Sequence, residues 1–325
     1  MIMLTGSAGF IGSNLHAALV AQGHETIIVD RLGTDEKWRN LAKHPPARLI
    51  APEDLADFLA SHPPLEVVFH LSAISDTAMT DADLVWAVNV ETSLALWRWC
   101  AARGVRFIYT SSAATYGDGS AGFDDDASVE SLSRLRPLNL YGWTKKAFDL
   151  RVARMLAAGE PRPPQWAGLK FFNVYGPNEY HKGMISVVKA KHDEILAGHA
   201  PRLFRSGRSD IADGGQQRDF TWVGDAVDVL QWLLDHPGVN GLFNAGTGQA
   251  RSFLDMAHAV CDAAGVARDV EFIDMPDGLR GKYQSFTQAN MTKLRAAGYG
   301  REFTSLEEGV RRYVGDYLTQ PDPYR

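Results

Sequence analysis

The first thirty residues constrain this chain more than any other stretch. Ile2–Thr5 is a short apolar run. Gly6, Gly9 and Gly12 follow at intervals of three, and a helical pattern runs from Phe10 to Gln22. Glycine permits the tight turn from strand to helix and lets backbone approach a ligand that any Cβ would hold off. A helix opening on such a turn offers N–H groups and the positive end of its dipole to a pyrophosphate. Thr26–Val29 reads as the second strand, and Asp30 closes it eighteen residues after Gly12. A carboxylate at that place meets an adenosine ribose, so the pattern predicts a dinucleotide site. Asp30 alone favours NAD, because it repels a 2′-phosphate. Arg31 and Lys37 follow closely and can neutralise that phosphate, so the residues leave NAD and NADP both open.

The rest of the first half keeps the same rhythm. Val67–His70, Arg106–Thr110 and Leu169–Phe172 read as strands, and Asp83–Arg103 and Tyr141–Ala158 as helices. Apolar strands without clean alternation imply a sheet covered on both faces. The expectation is an α/β fold, a doubly wound parallel sheet of Rossmann type over residues 1–172. After Pro177 the rhythm loosens. Helices are expected at Ile185–Leu196, Asp225–Leu234, Phe253–Ala264 and Leu306–Leu318, and a loop at Arg205–Gln217. Residues 173–325 therefore read as a smaller α+β substrate-binding domain, with a segment near 222–247 returning to the first.

Composition excludes several classes. A net charge of −6 over 325 residues disfavours nonspecific nucleic-acid or anionic-membrane binding. The two cysteines, Cys100 and Cys261, have neither metal-ligand nor CxxC spacing, which fits a reducing compartment. No long apolar run or charged leader is evident, so a cytoplasmic protein is expected. Trp86, Trp97 and Trp99 read as packing residues. His16, His24, His44, His62, His236 and His258 read as surface or packing residues rather than metal ligands. Asp124-Asp125-Asp126 reads as a solvated loop.

A second motif carries chemistry. Tyr141 and Lys145 stand four apart on one face of a helix. A nearby ammonium and an oxidised nicotinamide both favour the phenolate, which can then accept a hydroxyl proton while hydride leaves. Upstream, Thr110-Ser111-Ser112-Ala113-Ala114-Thr115-Tyr116-Gly117 ends a strand at the edge where open α/β sheets bind ligands. Ser112 is placed to hydrogen-bond the reacting oxygen.

Glycine turn, serine-rich strand end and Tyr–Lys pair together resemble the extended short-chain dehydrogenase/reductase superfamily. Phe171–Gly183, Ser111–Gly117, Gln217-Arg218-Asp219-Phe220 and Gly281–Thr287 narrow this to a resemblance to its ADP-glyceromanno-heptose 6-epimerase family, from Met1 to the last helix. The resemblance implies an isomerase of bacterial lipopolysaccharide precursor synthesis acting on a nucleotide-linked heptose. It also implies tightly held NADP, more often than NAD, and a homo-oligomer, a pentamer.

Carried over by position, the resemblance makes Tyr141 an acid/base, Lys145 its support, Ser112 the group that orients substrate, and Lys182 a second acid/base. It assigns Gly6, Gly9, Phe10, Ile11, Gly12, Asp30, Arg31 and Lys37 to the cofactor. Leu71, Ser72, Ala73, Ser75, Asn89 and Val174 join them there, as do Tyr141, Lys145 and Lys182. Asn173, His181, Arg218 and Tyr283 would contact the nucleotide sugar, with Phe204, Arg205 and Ser206 lining the site. An intramolecular ion pair with Asp219 or Asp225 is the alternative for Arg218. Thr144 stands where that family usually has serine.

Three rivals differ at named places. A UDP-hexose 4-epimerase or a reductase would share the Tyr–Lys chemistry without needing His181-Lys182. A dehydratase would need a polar-acidic pair where Ala113 and Ala114 stand. A catalytically silent sensor or scaffold would not need Tyr141 and Lys145.

Overall fold

The computed structural model describes residues 1–181, 185–276 and 284–325. The first half runs β1 (Ile2–Thr5), α1 (Phe10–Ala21), β2 (Thr26–Val29), α2 (Arg39–Ala42), β3 (Arg48–Ile50), α3 (Leu55–Ala60) and β4 (Val67–His70). It continues through α4 (Ala82–Trp86), α5 (Thr92–Arg103), β5 (Arg106–Ser112), α6 (Val129–Arg134), α7 (Leu140–Ala157) and β6 (Trp166–Phe171). Then come β7 (Asn173–Tyr175), α8 (Val187–Leu196), β8 (Arg202–Phe204), β9 (Gln217–Trp222), α9 (Val223–Asp235) and β10 (Gly241–Ala245). The chain closes with β11 (Ala250–Ser252), α10 (Phe253–Ala264), β12 (Glu271–Ile273), α11 (Thr292–Ala296) and α12 (Leu306–Tyr313).

Seven parallel strands form the main sheet, in the order β10-β6-β5-β4-β1-β2-β3. The order reverses beside β1, whose Thr5 faces Val29 on one side and His70 on the other. A crevice forms at the carboxyl ends of the strands at such a point.

Both faces of the sheet are covered, and strand residues serve them alternately. Met3, Val68, Phe107 and Tyr109 pack with Leu94, Trp97, Phe148 and Val152 of α5 and α7. Ile2, Leu4, Val67, Phe69 and Ile108 pack with Leu15 and Leu19 of α1 and Val229, Leu230 and Leu233 of α9. β10 pairs with β6 over five residues, so chain beyond Trp222 returns to the main sheet. The remaining strands are short. β9 lies between β7 and an antiparallel β11, and β12 pairs with β8.

Some expectations are revised. The helix expected over Asp83–Arg103 is broken by a wider turn at Ala87–Glu91. That turn carries Asn89, whose carboxamide accepts from Ile74 N and donates to Ile74 O and Thr144 Oγ1. The aspartate run is not simply solvated. Asp125 is buried and accepts from Asn244 N at 2.8 Å, and Asp124 accepts from Asn290 Nδ2 at 2.8 Å. Trp97 is core, and Trp86 leans on Trp143. Among the described residues no helix is long and apolar enough to cross a membrane, and no cluster of residues suits a metal ion.

Candidate active site

A cavity of about 450 Å³ opens at the switch point. Its floor is the glycine turn. Gly6 has φ +73°, and a Cβ there would come within 2.6 Å of Ser72 Cα. A Cβ on Gly12 would meet Ser7 Cα at 2.6 Å and Gly6 O at 2.7 Å. Gly9 caps α1 without a side-chain acceptor, and the first turn of α1 carries no acidic residue. The positive end of this helix thus faces the cavity with no capping anion from its own first turn.

Asp30 lines the far end. One carboxylate oxygen accepts from Ala8 N at 2.8 Å. The other accepts from Arg31 N at 2.7 Å and Lys37 Nζ at 2.8 Å. The two cations behave differently. Lys37 lines the cavity on Asp30, whereas the Arg31 side chain is exposed and turns away to Glu53. Leu71, Ser72, Ala73 and Ser75 form one wall. Asn89 stands behind it, tying that wall to the helix of the Tyr–Lys pair.

The opposite wall carries the Tyr–Lys pair. Asn139 caps α7 by accepting from Gly142 N at 2.8 Å. A Cβ on Gly142 would come within 2.6 Å of Ala114 O, so a glycine lets α7 press on the turn after β5. That contact brings Tyr141 to Ser112, and both line the cavity. Lys145 is buried, and its Nζ donates to Thr110 O at 2.7 Å.

Burial lowers the Lys145 pKa to about 8, against the pull of Asp149. It raises that of the Tyr141 phenol, with the Ser112 hydrogen bond opposing and Asp149 adding to the rise. The protein alone therefore does not make the phenolate, contrary to a simple reading of the lysine's proximity. A further positive charge in the cavity is needed.

His70 closes the back of the site. Its ring lies between Thr5 Oγ1 at 2.7 Å and Ser93 Oγ at 2.8 Å, and burial drops its pKa to about 3. Below its ordinary value of about 6.5, the unfolded chain takes up a proton that the fold refuses. Stability is expected to fall by up to about 1.4 kcal/mol per pH unit from this group as pH drops from about 6.5 towards 3. Denaturant unfolding of wild type and His70→Gln at pH 7 and 4.5 checks this. The stability gap between them should shrink at the lower pH; a constant gap would refute it.

The expected substrate residues spread more widely. His181 lines the main cavity, hydrogen-bonded to Tyr324 Oη at 2.8 Å and stacked on that ring. Val174 lines it too. Asn173 is exposed at the start of β7. Phe204 lies on a second cavity of about 300 Å³, with Leu203, Lys191, Gln216, Phe253 and Ile273. Arg218 is buried beside it, its guanidinium 5.4 Å from the Phe253 ring centre, donating to Gln217 O and Gln284 O.

Asp219, the alternative partner, receives Thr247 N, Thr247 Oγ1, Gly248 N and Ala289 N. Asp225, the other alternative, receives Thr304 N and Oγ1. Arg205 is exposed on Asp213, and Ser206 N donates to the same carboxylate. Lys182 and Tyr283 lie outside the described residues.

The model of the NAD dependent epimerase/dehydratase family matches residues 2–246. Over 329 residues, covering all of both chains, the sequence is 49% identical to the ADP-L-glycero-D-manno-heptose-6-epimerase of Nitratidesulfovibrio vulgaris strain DP4. The chain belongs to the ADP-L-glycero-D-manno-heptose-6-epimerase family. Among solved structures it resembles the Helicobacter pylori ADP-L-glycero-D-manno-heptose-6-epimerase, with TM-score 0.77 and 25% identity over 97% of this chain and 95% of that one. It also resembles the Thermus thermophilus UDP-glucose 4-epimerase in complex with NAD, with TM-score 0.76 and 27% identity over 96% of this chain and 97% of that one.

As a member of this epimerase family the chain is an isomerase that works with a nicotinamide cofactor. The glycine cradle, the uncapped helix and Asp30 fit such a group. Ile74 and Asp76 also line the epimerase cavity and were not singled out from sequence, whereas Thr110, Ser111, Phe171 and Phe172 line it from segments read there only as motifs, without a role of their own. They are strand ends and loop residues with no composition signal of their own. The second cavity was missed except for Phe204, because three-residue strands such as β8 and β12 are too short to show a period.

Proposed function

We propose that this epimerase interconverts the C6 epimers of ADP-glycero-manno-heptose by transient oxidation to a ketone and re-reduction. One observation carries the reading: a glycine cradle for a dinucleotide and the Ser112–Tyr141 pair line the same cavity. A bound nicotinamide supplies a hydride acceptor that can return the hydride. Its positive charge is what the Tyr141 phenol lacks in the protein alone. Tyr141 then takes the proton of the C6 hydroxyl, Ser112 holds that oxygen, and Lys145 supports the phenolate from behind.

Carbon 6 lies outside the sugar ring. Rotation about its bond to the ring turns the other face of the ketone towards the same hydride. The two epimers set their hydroxyls in different directions, which makes a second proton-transfer group useful. We assign that role to Lys182, and substrate contacts to Asn173, His181, Phe204, Arg205, Ser206, Arg218 and Tyr283. A guanidinium such as Arg218 suits a diphosphate.

We further assign NADP as the cofactor held. Lys37 already offsets the Asp30 charge at 2.8 Å, which weakens its repulsion of a 2′-phosphate. Mass spectrometry of the copurifying nucleotide tests this. The same reading takes residues 173–325, less the returning segment, as the substrate domain. On the same reading the enzyme is a cytoplasmic homo-oligomer, and light scattering is expected to give the mass of a pentamer.

The decisive assay is incubation of purified protein with either ADP-heptose epimer and chromatography of the products. Absence of interconversion with cofactor present ends the assignment. Turnover of UDP-glucose instead would favour a hexose 4-epimerase. Lys182→Ala is expected to retain cofactor and to epimerise about 10²-fold more slowly or worse. Full activity in that variant would remove Lys182 from the mechanism.

A further inference from the structure

Behind the reactive wall lies a second pair of charges that the mechanism above does not use. Asp149 stands one helical turn beyond Lys145 on α7, and Lys170 lies on β6 opposite Ser111 of β5. Both side chains are fully buried, with Lys170 Nζ 3.4 Å from Asp149 Oδ2. The carboxylate accepts from Ser111 Oγ at 2.6 Å and Tyr109 Oη at 3.1 Å. The ammonium donates to Thr115 Oγ1 at 2.6 Å and lies 4.5 Å from the centre of the Tyr116 ring.

A buried ion pair is a poor device for stability alone, since apolar residues of the same volume often serve as well. Its location speaks for another use. Ser111, which holds the carboxylate, precedes Ser112, which lines the cavity with Tyr141.

We propose that Asp149 and Lys170 are positioning residues whose opposed charges set the charge balance around Tyr141 and Lys145. With Lys145, the pair leaves one net positive charge behind the cavity, to which the charge of a bound nicotinamide would add. The inference rests on the Tyr141 chemistry proposed above. The other titratable groups facing this cluster are Tyr109 from β5, Tyr116 and Asp125 from the segment after it, and His70 from β4. Burial keeps Tyr109 and Tyr116 protonated and His70 neutral at ordinary pH. Asp125 holds up the pKa of Lys170 and of Tyr116. In line with the geometry, the Asp149 charge holds up the pKa of both Lys145 and Tyr141.

The signs follow. Asp149→Asn removes a negative charge, favours the phenolate, and extends activity to lower pH. Lys170→Met leaves the carboxylate unbalanced and does the reverse. The acid-side midpoint of the pH–rate profile is expected to move down by about one unit in the first and up by about one in the second. Lys170→Arg and the double variant should stay near wild type.

A structural pair would lower the melting temperature without moving the midpoints in opposite directions. That result, or shifts of the same sign, overturns the inference. Either single variant decides by its sign if the other does not fold. Wild type that fails to epimerise refutes the underlying reading instead, whereas active wild type with unshifted variants refutes only this one.

Discussion

Tyr141→Phe is expected to lose epimerisation by about 10²- to 10⁴-fold while keeping its cofactor. The substitution removes one oxygen and little volume. The ring still lines the cavity, and the cap on α7 from Asn139 is untouched. What disappears is the only phenol lining the cavity among the described residues, and with it the group placed to take the substrate proton. Ser112 cannot replace it, because an alkoxide is far too basic. The check is turnover of either epimer by the variant, alongside absorbance of the retained dinucleotide. Wild-type turnover with full cofactor loading would contradict the role given to Tyr141. Loss of both would mean that the variant damages the cradle. Ser112→Ala then becomes the cleaner test, since it should lower the rate with cofactor intact.

Asp219→Ala is expected to cost more than about 3 kcal/mol of folding stability. The carboxylate is buried and receives three backbone N–H groups and one hydroxyl, from Thr247, Gly248 and Ala289. Each buried donor left without an acceptor costs about 1–3 kcal/mol. These donors lie on two segments far apart in sequence, so the carboxylate fastens β9 to the chain after β10 and to the approach to α11. Stability of a domain is typically about 5–15 kcal/mol in all, so a loss of this size is a large share of it. Denaturant midpoints read the effect directly. A variant as stable as wild type would show that water or a relaxed backbone satisfies the three donors.

The sequence disclosed the first half of the fold because its signals are local. A glycine turn, an acidic strand end and alternating strands and helices each span fewer than thirty residues. The glycine floor and Asp30 followed from that, Ser112, Tyr141 and Lys145 from motif spacing, and the wall of Leu71, Ser72, Ala73 and Ser75 only from the resemblance. What stayed hidden depends on distant pairing. β10 lies about seventy residues after β6, and β12 a similar distance after β8. Three-residue strands give no period to read. Asp219 looked like a partner for Arg218 because they adjoin, yet successive strand residues face opposite ways. Lys170 is a lone charge in the apolar run of β6. Only the register with Ser111 shows that it is enclosed with Asp149. Asp125 seemed wet because acidic runs usually are, and a contact with Asn244 more than a hundred residues on decided otherwise.

The return of β10 to the main sheet has a consequence for motion. The chain leaves the sheet after Phe171, rejoins it at Gly241 and departs again after Ala245, and β10 is hydrogen-bonded to β6 along its length. Each crossing ties the later residues to the main sheet, and the β10–β6 hydrogen bonds hold that tie. The reversal of stereochemistry proposed above asks only the smaller body to turn: the guest pirouettes in a frame stitched to the sheet.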